Sequence, residues 1–152
     1  RLVGYENRDI ADKDFRNDKV DAGEVGAGHS VTAMYDVVLK STATSPVTVR
    51  LRHKVPDAKK DDPATENTYA MDTASMFATF DQAPQTFRFA TAVTGFAEVL
   101  RQSPAAKEYT LDDVSKVAIA AAGDQRDQQE LVTLVKKAAS LQGAAGPAKT
   151  AK

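Results

Sequence analysis

The spacing of apolar residues changes once along this chain, from every second position to every third or fourth. That change, near residue 81, constrains the fold more than any single motif. Before it, VTVRLRHKV puts Val47, Val49, Leu51 and Val55 on one side of a strand and Thr48, Arg50, Arg52 and Lys54 on the other. SVTAMYDVVL alternates as well, with Val31, Ala33, Tyr35, Val37 and Leu39 on one face, and the short KSTATSP connection lets the two strands pair antiparallel. PDAKKDDPATENT, with two prolines and no large apolar residue, reads as an exposed loop, and TYAMDTASMFATF as a place for a third strand. The expectation for residues 1–80 is an N-terminal antiparallel sheet of three or more strands, sandwich-like if a second layer forms.

From Asp81 onward the pattern is helical. Phe89, Val93, Phe96 and Leu100 recur at spacings of four, three and four, with Ala90 and Ala97 beside them, so this stripe is expected to face a core. Asp81 is the expected cap, Pro84 is tolerated in the first turn, and Pro104 ends the helix. A second helix opens at Thr110, with Asp112 and Asp113 at the positive end of its dipole. Its expected buried face is Leu111, Val114, Val117, Ala118 and Ala121, and Gly123 supplies a left-handed stop. A third helix, from about Asp127 to Leu141, turns Leu131, Leu134, Val135, Ala138 and Leu141 inward and stops at Gly143. The fold class is therefore α+β: one domain over residues 1–142, β-rich to residue 80 and helical from 81 to 142, with a disordered tail at 143–152.

Composition refines this outline. Leu, Ile, Val and Phe number 31 against 26 Ala, so the large-residue core is thin. Twenty basic and 21 acidic residues give a net charge of −1, too little self-repulsion to hold the chain open. Near-neutrality also argues against a nucleic-acid partner, which calls for an excess of Lys and Arg. No apolar run is long enough to insert directly into a membrane. The absence of Cys removes disulfides and thiol chemistry.

The residues that invite a chemical role each have a plainer reading. Glu6, Asp9, Asp12, Asp14, Asp18, Asp21 and Glu24 suggest calcium. Counting from Asp12, however, Arg16 holds the fifth position, Asn17 the sixth and Gly23 the twelfth, and Arg8, Lys13, Arg16 and Lys19 are interspersed. A loop of local salt bridges is favoured over a calcium-stabilised module, and no metal or cofactor is assigned. GEVGAGHS leads into a strand rather than a helix, so Gly23, Gly26 and Gly28 read as turn positions and not as a phosphate cradle. A hydrolase would have to use His29 or His53, the only imidazoles, yet no Ser or carboxylate is tied to either by spacing. His53 has core-facing parity and reads as a partly buried structural residue. Arg50, Arg52 and Lys54 form a basic stripe, read as a solvated face or as a surface pairing with the acidic segment or a neighbouring domain.

Two stretches are more specific. RLVGYENRDIADKDFRNDKVDAGEVGAGHSVTAMYDV closely resembles the opening of the C-terminal region of bacterial von Willebrand factor type A proteins. FRFATAVTGFAEVLRQSP, with LDDVSKVAIAAAGDQ and LVKKA, looks like that region's helical end, and VTVRLRHKVP matches a strand that usually ends in Tyr where His53 stands. Val25, Ser30, Met34 and Asp36 are mild departures. The resemblance implies a non-enzymatic module that follows a type A domain in a protein of the bacterial cell envelope, periplasmic or outer-surface and often a lipoprotein. The metal signature of the type A domain, Asp-x-Ser-x-Ser, has only an incomplete counterpart in Asp72-Thr73-Ala74-Ser75-Met76, so no metal ligand carries over. The implied partners are the preceding type A domain, an unidentified protein and, for the isolated chain, a second copy. Tyr5, Glu24, Gly26, Gly28, His29, Arg50 and Arg52 are the candidate coupling surface.

Overall fold

The structure, a computed structural model, describes residues 1–4, 10–20, 23–39, 45–107 and 109–145. Its contacts divide the chain into two compact units, one of Arg1–Gly4, Thr32–Tyr35 and Phe77–Lys152, the other of Tyr5–Val31 and Asp36–Met76.

The first unit is built on three helices, α1 (Gln85–Leu100), α2 (Leu111–Ala121) and α3 (Arg126–Ala145). Helix α2 starts as its sequence dictates. The Thr110 hydroxyl accepts from the Asp113 N–H at 3.1 Å, while the Asp113 carboxylate accepts from the Thr110 N–H at 3.2 Å, a reciprocal cap. Leu111, Val114, Ala118 and Ala121 are buried along one face, with Val117 packed beside them. The end differs from expectation. Ala122, in extended conformation, stops the helix, and Gly123 is not left-handed. Gly123 is instead clamped from α3: its N–H donates to Gln128 Oε1 at 2.5 Å, and its carbonyl accepts from Gln129 Nε2 at 2.8 Å.

Helix α1 begins after Pro84, while Asp81 lies in a separate 3-10 turn, Phe80–Gln82, and caps nothing. Its inner face is not the expected stripe. Val93 and Leu100 are exposed; Ala92 and Glu98 are buried, with Phe89, Gly95, Phe96 and Val99 half-buried. Small side chains are needed there because α2 comes close: a Cβ on Gly95 would stand 3.4 Å from Val114 Cγ2. The helix ends in a Schellman arrangement. Gln102 takes the left-handed position at φ 55° and donates its N–H to the Val99 carbonyl, and the Ser103 N–H reaches the Glu98 carbonyl. Pro104 then opens the 3-10 turn Pro104–Ala106.

Helix α3 passes the expected stop at Gly143 and runs to Ala145. The remainder of the expected disordered tail, 146–152, lies outside the described residues. Val132 and Val135 are buried and Leu131 and Ala138 half-buried, whereas Leu134 and Leu141, expected inward, are exposed. Ala92 of α1, Ala118 of α2 and Val132 of α3 meet in one cluster, joined by Val117 and Ala122, and Ala118 and Val135 have no exposed surface at all. Helix α2 packs on both of the others.

The expected sheet of three or more strands is replaced by two separate two-stranded ribbons among the described residues. The strand read into residues 30–39 is reduced to β2 (Met34–Tyr35), which pairs antiparallel with β1 (Leu2–Val3). The reason is a competing partner. β3 (Val47–His53) takes its ladder from β4 (Thr65–Met71), and of 30–39 only Met34–Tyr35 is strand. Part of the expected exposed loop therefore becomes strand. The reversal before β4 contains Pro56, favoured at the second position of such a turn, followed by Asp57 at φ 66°, and is closed by the Ala58 N–H to the Val55 carbonyl at 3.2 Å.

Two substitutions check the helix packing by chemical denaturation. Gly95→Ala keeps an ordinary contact with Val114 and removes chain entropy from the unfolded state, so stability rises by about 0.5–1 kcal/mol. Ala118→Leu forces new volume into a filled site and lowers stability by about 1–3 kcal/mol.

Candidate functional site

Two groups of charged side chains stand out, one in each unit. In the first, Glu98 near the end of α1 is a buried carboxylate, its side chain 6% exposed. Arg101 pairs with one oxygen, and Arg1 Nη1 lies 3.5 Å from the other. Arg101 also donates to the Gly4 carbonyl at 2.9 Å, so both guanidinium groups link the β1 end to α1. Burial alone would raise the Glu98 pKa, but the Ser103 hydroxyl, Arg101 and Arg1 outweigh it and hold the carboxyl below its ordinary value. The cluster is satisfied by its own partners and reads as structural.

In the second unit, the antiparallel register gives the β3–β4 ribbon two unlike faces. Thr48, Arg50 and Arg52 with Glu66, Thr68 and Ala70 share one side; Val47, Val49 and Leu51 with Tyr69 and Met71 share the other. Residues 10–20 cover the Arg52 and Glu66 end of the charged side, while Thr48, Arg50, Thr68 and Ala70 stay exposed. Arg52 Nη2 donates to Asp18 Oδ1 at 2.6 Å and Nη1 to the Phe15 carbonyl at 3.2 Å, with the guanidinium 6.0 Å from the Phe15 ring centre. Lys54 donates to the Asp18 carbonyl at 3.0 Å and to the Lys60 carbonyl at 2.6 Å. Arg16 grips Glu66 with two hydrogen bonds, at 2.9 and 3.0 Å. The Arg16 hydrogen bonds hold the Glu66 carboxyl below its ordinary value against burial, assisted by the charges of Arg52 and Arg50. Arg52 and Lys54 of the basic stripe therefore meet the acidic segment, one of the three readings its sequence allowed, while Arg50 stays exposed.

The apolar side is open. Val49, Leu51, Tyr69 and Met71 are 48, 54, 57 and 42% exposed. This reverses the expectation that Val47, Val49, Leu51 and Val55 face a core: the element that covers the ribbon is polar and selects the charged side, and of the four only Val47 is even half-buried. His53, on the same side and opposite Thr65, is exposed rather than partly buried.

The candidate coupling residues are placed as follows. Tyr5 lies outside the described residues. Glu24, Gly26, Gly28 and His29 sit on one exposed loop, where the His29 N–H closes a turn on the Gly26 carbonyl at 3.0 Å and Gly28 has φ 77°. The His29 ring lies over Gly26, so close that a Cβ there would stand 3.0 Å from Nδ1. Arg50 and Arg52 are on the ribbon, and among the described residues no hydrogen bond or ion pair joins them to the Gly26 turn. Sequence reasoning missed Glu66, Tyr69 and Met71, which the β3–β4 register brings opposite Arg52, Val49 and Val47. Among the described residues, no three His, Asp or Glu side chains gather as a metal site would require, and no helix is long and apolar enough to cross a membrane.

These features define a mixed α+β chain with, among the described residues, three α-helices and two small ribbons. It belongs to the family described as "Uncharacterized protein YfbK, C-terminal", whose model matches residues 1–48 and 41–141. The chain is 28% identical over 155 residues to "Uncharacterized protein YfbK" of Escherichia coli (strain K12), a match covering 91% of this chain and 26% of that protein. The chain thus spans about a quarter of the length of that curated relative. No solved structure matches.

The Glu98 cluster has a pH signature. A carboxyl whose pKa is lowered on folding contributes stability that is present above its unfolded value, ordinarily 4.5, and lost as pH falls through the lowered folded value. Urea denaturation of the native protein is expected to show stability falling below about pH 4.5. Glu98→Gln is expected to be less stable at neutral pH and to show a shallower acid decline, because Glu66 and Asp113, also lowered, remain. Parallel acid limbs for the two proteins would contradict this.

Proposed function

We propose that this chain is a non-enzymatic structural or interaction module, placed after a von Willebrand factor type A domain in a bacterial envelope protein, and that the open apolar face of the β3–β4 ribbon is where it docks. The observation that carries the reading is the uncovered apolar side: residues 10–20 engage Arg52, Lys54 and Glu66 on or beside the charged side, while Val49, Leu51, Tyr69 and Met71 are left to solvent. Two strands with an uncovered apolar face are marginal in water, and a docked neighbour would remove that defect. The neighbour of choice is the preceding region of the parent protein. Family membership in a C-terminal region and the greater length of the relative support it, and the sequence resemblance supplies the type A identity.

The size of the patch sets the expected affinity. The largest exposed apolar patch of an ordinary monomer is roughly 300–600 Å², short of the ~800 Å² each partner gives to a stable free complex. Tethering in one polypeptide would compensate by raising effective concentration. Two copies of the isolated chain should then self-associate only weakly, and Leu51→Lys should suppress it in sedimentation runs.

The deciding experiment is an NMR titration of the labelled chain with the separately produced preceding region of its parent. Resonances of Val49, Leu51, Tyr69 and Met71 are expected to shift, Leu51→Lys to abolish the shifts, and α2 and α3 to remain unmoved. A titration that leaves the ribbon unperturbed would overturn the docking role.

A further inference from the structure

We propose that residues 10–20 form an electrostatic latch on the charged face of the β3–β4 ribbon, displaced by an acidic polypeptide that takes the place of Asp18 on Arg52 and Lys54. This stands independently of the apolar face and its occupant.

The first support is how the segment is held. Its long-range polar contacts to the ribbon all involve a charged side chain: Arg52 to Asp18 and to the Phe15 carbonyl, Lys54 to the Asp18 carbonyl, and Arg16 to Glu66. Apolar anchoring is slight. Phe15 and Val20 are exposed, and no described residue of this unit is buried. A segment fixed by charge rather than by burial releases when the charges are screened.

The second support is what the segment offers. Arg52 and Lys54 receive one carboxylate and two backbone carbonyls, the acceptor set that any acidic peptide carries. The segment keeps its own shape through local turns: the Asp14, Asn17 and Val20 N–H groups each reach a carbonyl three residues back, at 2.7, 2.9 and 3.0 Å. The Asn17 side chain, accepting from the Lys19 N–H at 3.2 Å, holds the turn that presents Asp18. It can leave the ribbon without unravelling the strands, whose ladder runs unbroken from Val47↔Met71 to His53↔Thr65. Arg52 would then be uncovered beside Arg50 and Lys54, and Arg16 would be freed from Glu66. The charge complementarity that now closes the latch would select an acidic partner.

The test follows the backbone amides of residues 10–20 and the Arg52 guanidinium by NMR on the full chain. Salt is raised from about 0.1 M to about 1 M, over which the screening length contracts from about 10 Å to about 3 Å. A decaglutamate peptide is then added at low salt, with decaglutamine as the control. The expected result is movement of the 10–20 signals toward unstructured positions with salt and with decaglutamate, while the β3–β4 amides stay fixed. Asp18→Asn should open at lower salt and bind decaglutamate several-fold more tightly, and Arg52→Gln should lose that binding. Should Asp18→Asn disturb the ribbon, its amides report it and the unmutated protein decides alone. Signals of 10–20 that ignore salt would overturn the latch, and decaglutamate binding no better than decaglutamine would overturn the acidic partner.

Discussion

The close approach of α2 to its two neighbours is the constraint on which the first unit depends. Ala92, Gly95 and Ala118 leave little side chain to hold the helices apart, and Val114, Val132 and Val135 are buried beside them. Dispersion contacts of this kind are individually weak and grow with proximity, which is how a chain with so few large apolar residues fills a core. The rest of the unit attaches to that assembly through polar groups. Thr110 and Asp113 fix where α2 starts, Gln128 and Gln129 fix the α2–α3 turn, and Glu98 with its two arginines ties the β1 end to α1.

The second unit is organised on the opposite principle. Its ladder is regular, yet what covers it is a short segment held by Arg16, Arg52 and Lys54, and its apolar side faces solvent. Charge selects the covered face because the segment available to cover it carries Asp18 and Arg16 and no apolar run. The open face follows from that choice and is the reason an interaction role is favoured here over a catalytic one.

How much was legible in the sequence depended on whether a local rule or a tertiary one decided each element. The α2 cap and its buried face were readable because Thr110, Asp113, Leu111, Val114 and Ala118 act within one helix. β3 was readable from its alternation, and the meeting of Arg52 and Lys54 with the acidic segment was one of three readings open to the basic stripe. The inner face of α1 was not: pattern reading weights Val93 and Leu100, whereas the approach of α2 favours small residues at positions 92 and 95 and tolerates a paired Glu98. The partner of β3 was not legible either, because Thr65–Met71 has poor alternation and begins inside the stretch that its prolines and polar residues mark as a loop. Parity put Val49 and Leu51 together correctly and could not say which face would be covered, since that depends on Asp18 and Arg16 some thirty to fifty residues away.

The central claim is that burial carries the helical unit and charge carries the ribbon unit. Native-state hydrogen exchange resolved by residue tests it directly. The account predicts that amides of Val114, Ala118, Val132 and Val135 exchange only through global unfolding, while those of β3 and β4 exchange through a separate opening of lower free energy. Equal protection of the two sets, rising and falling together with denaturant, would contradict it.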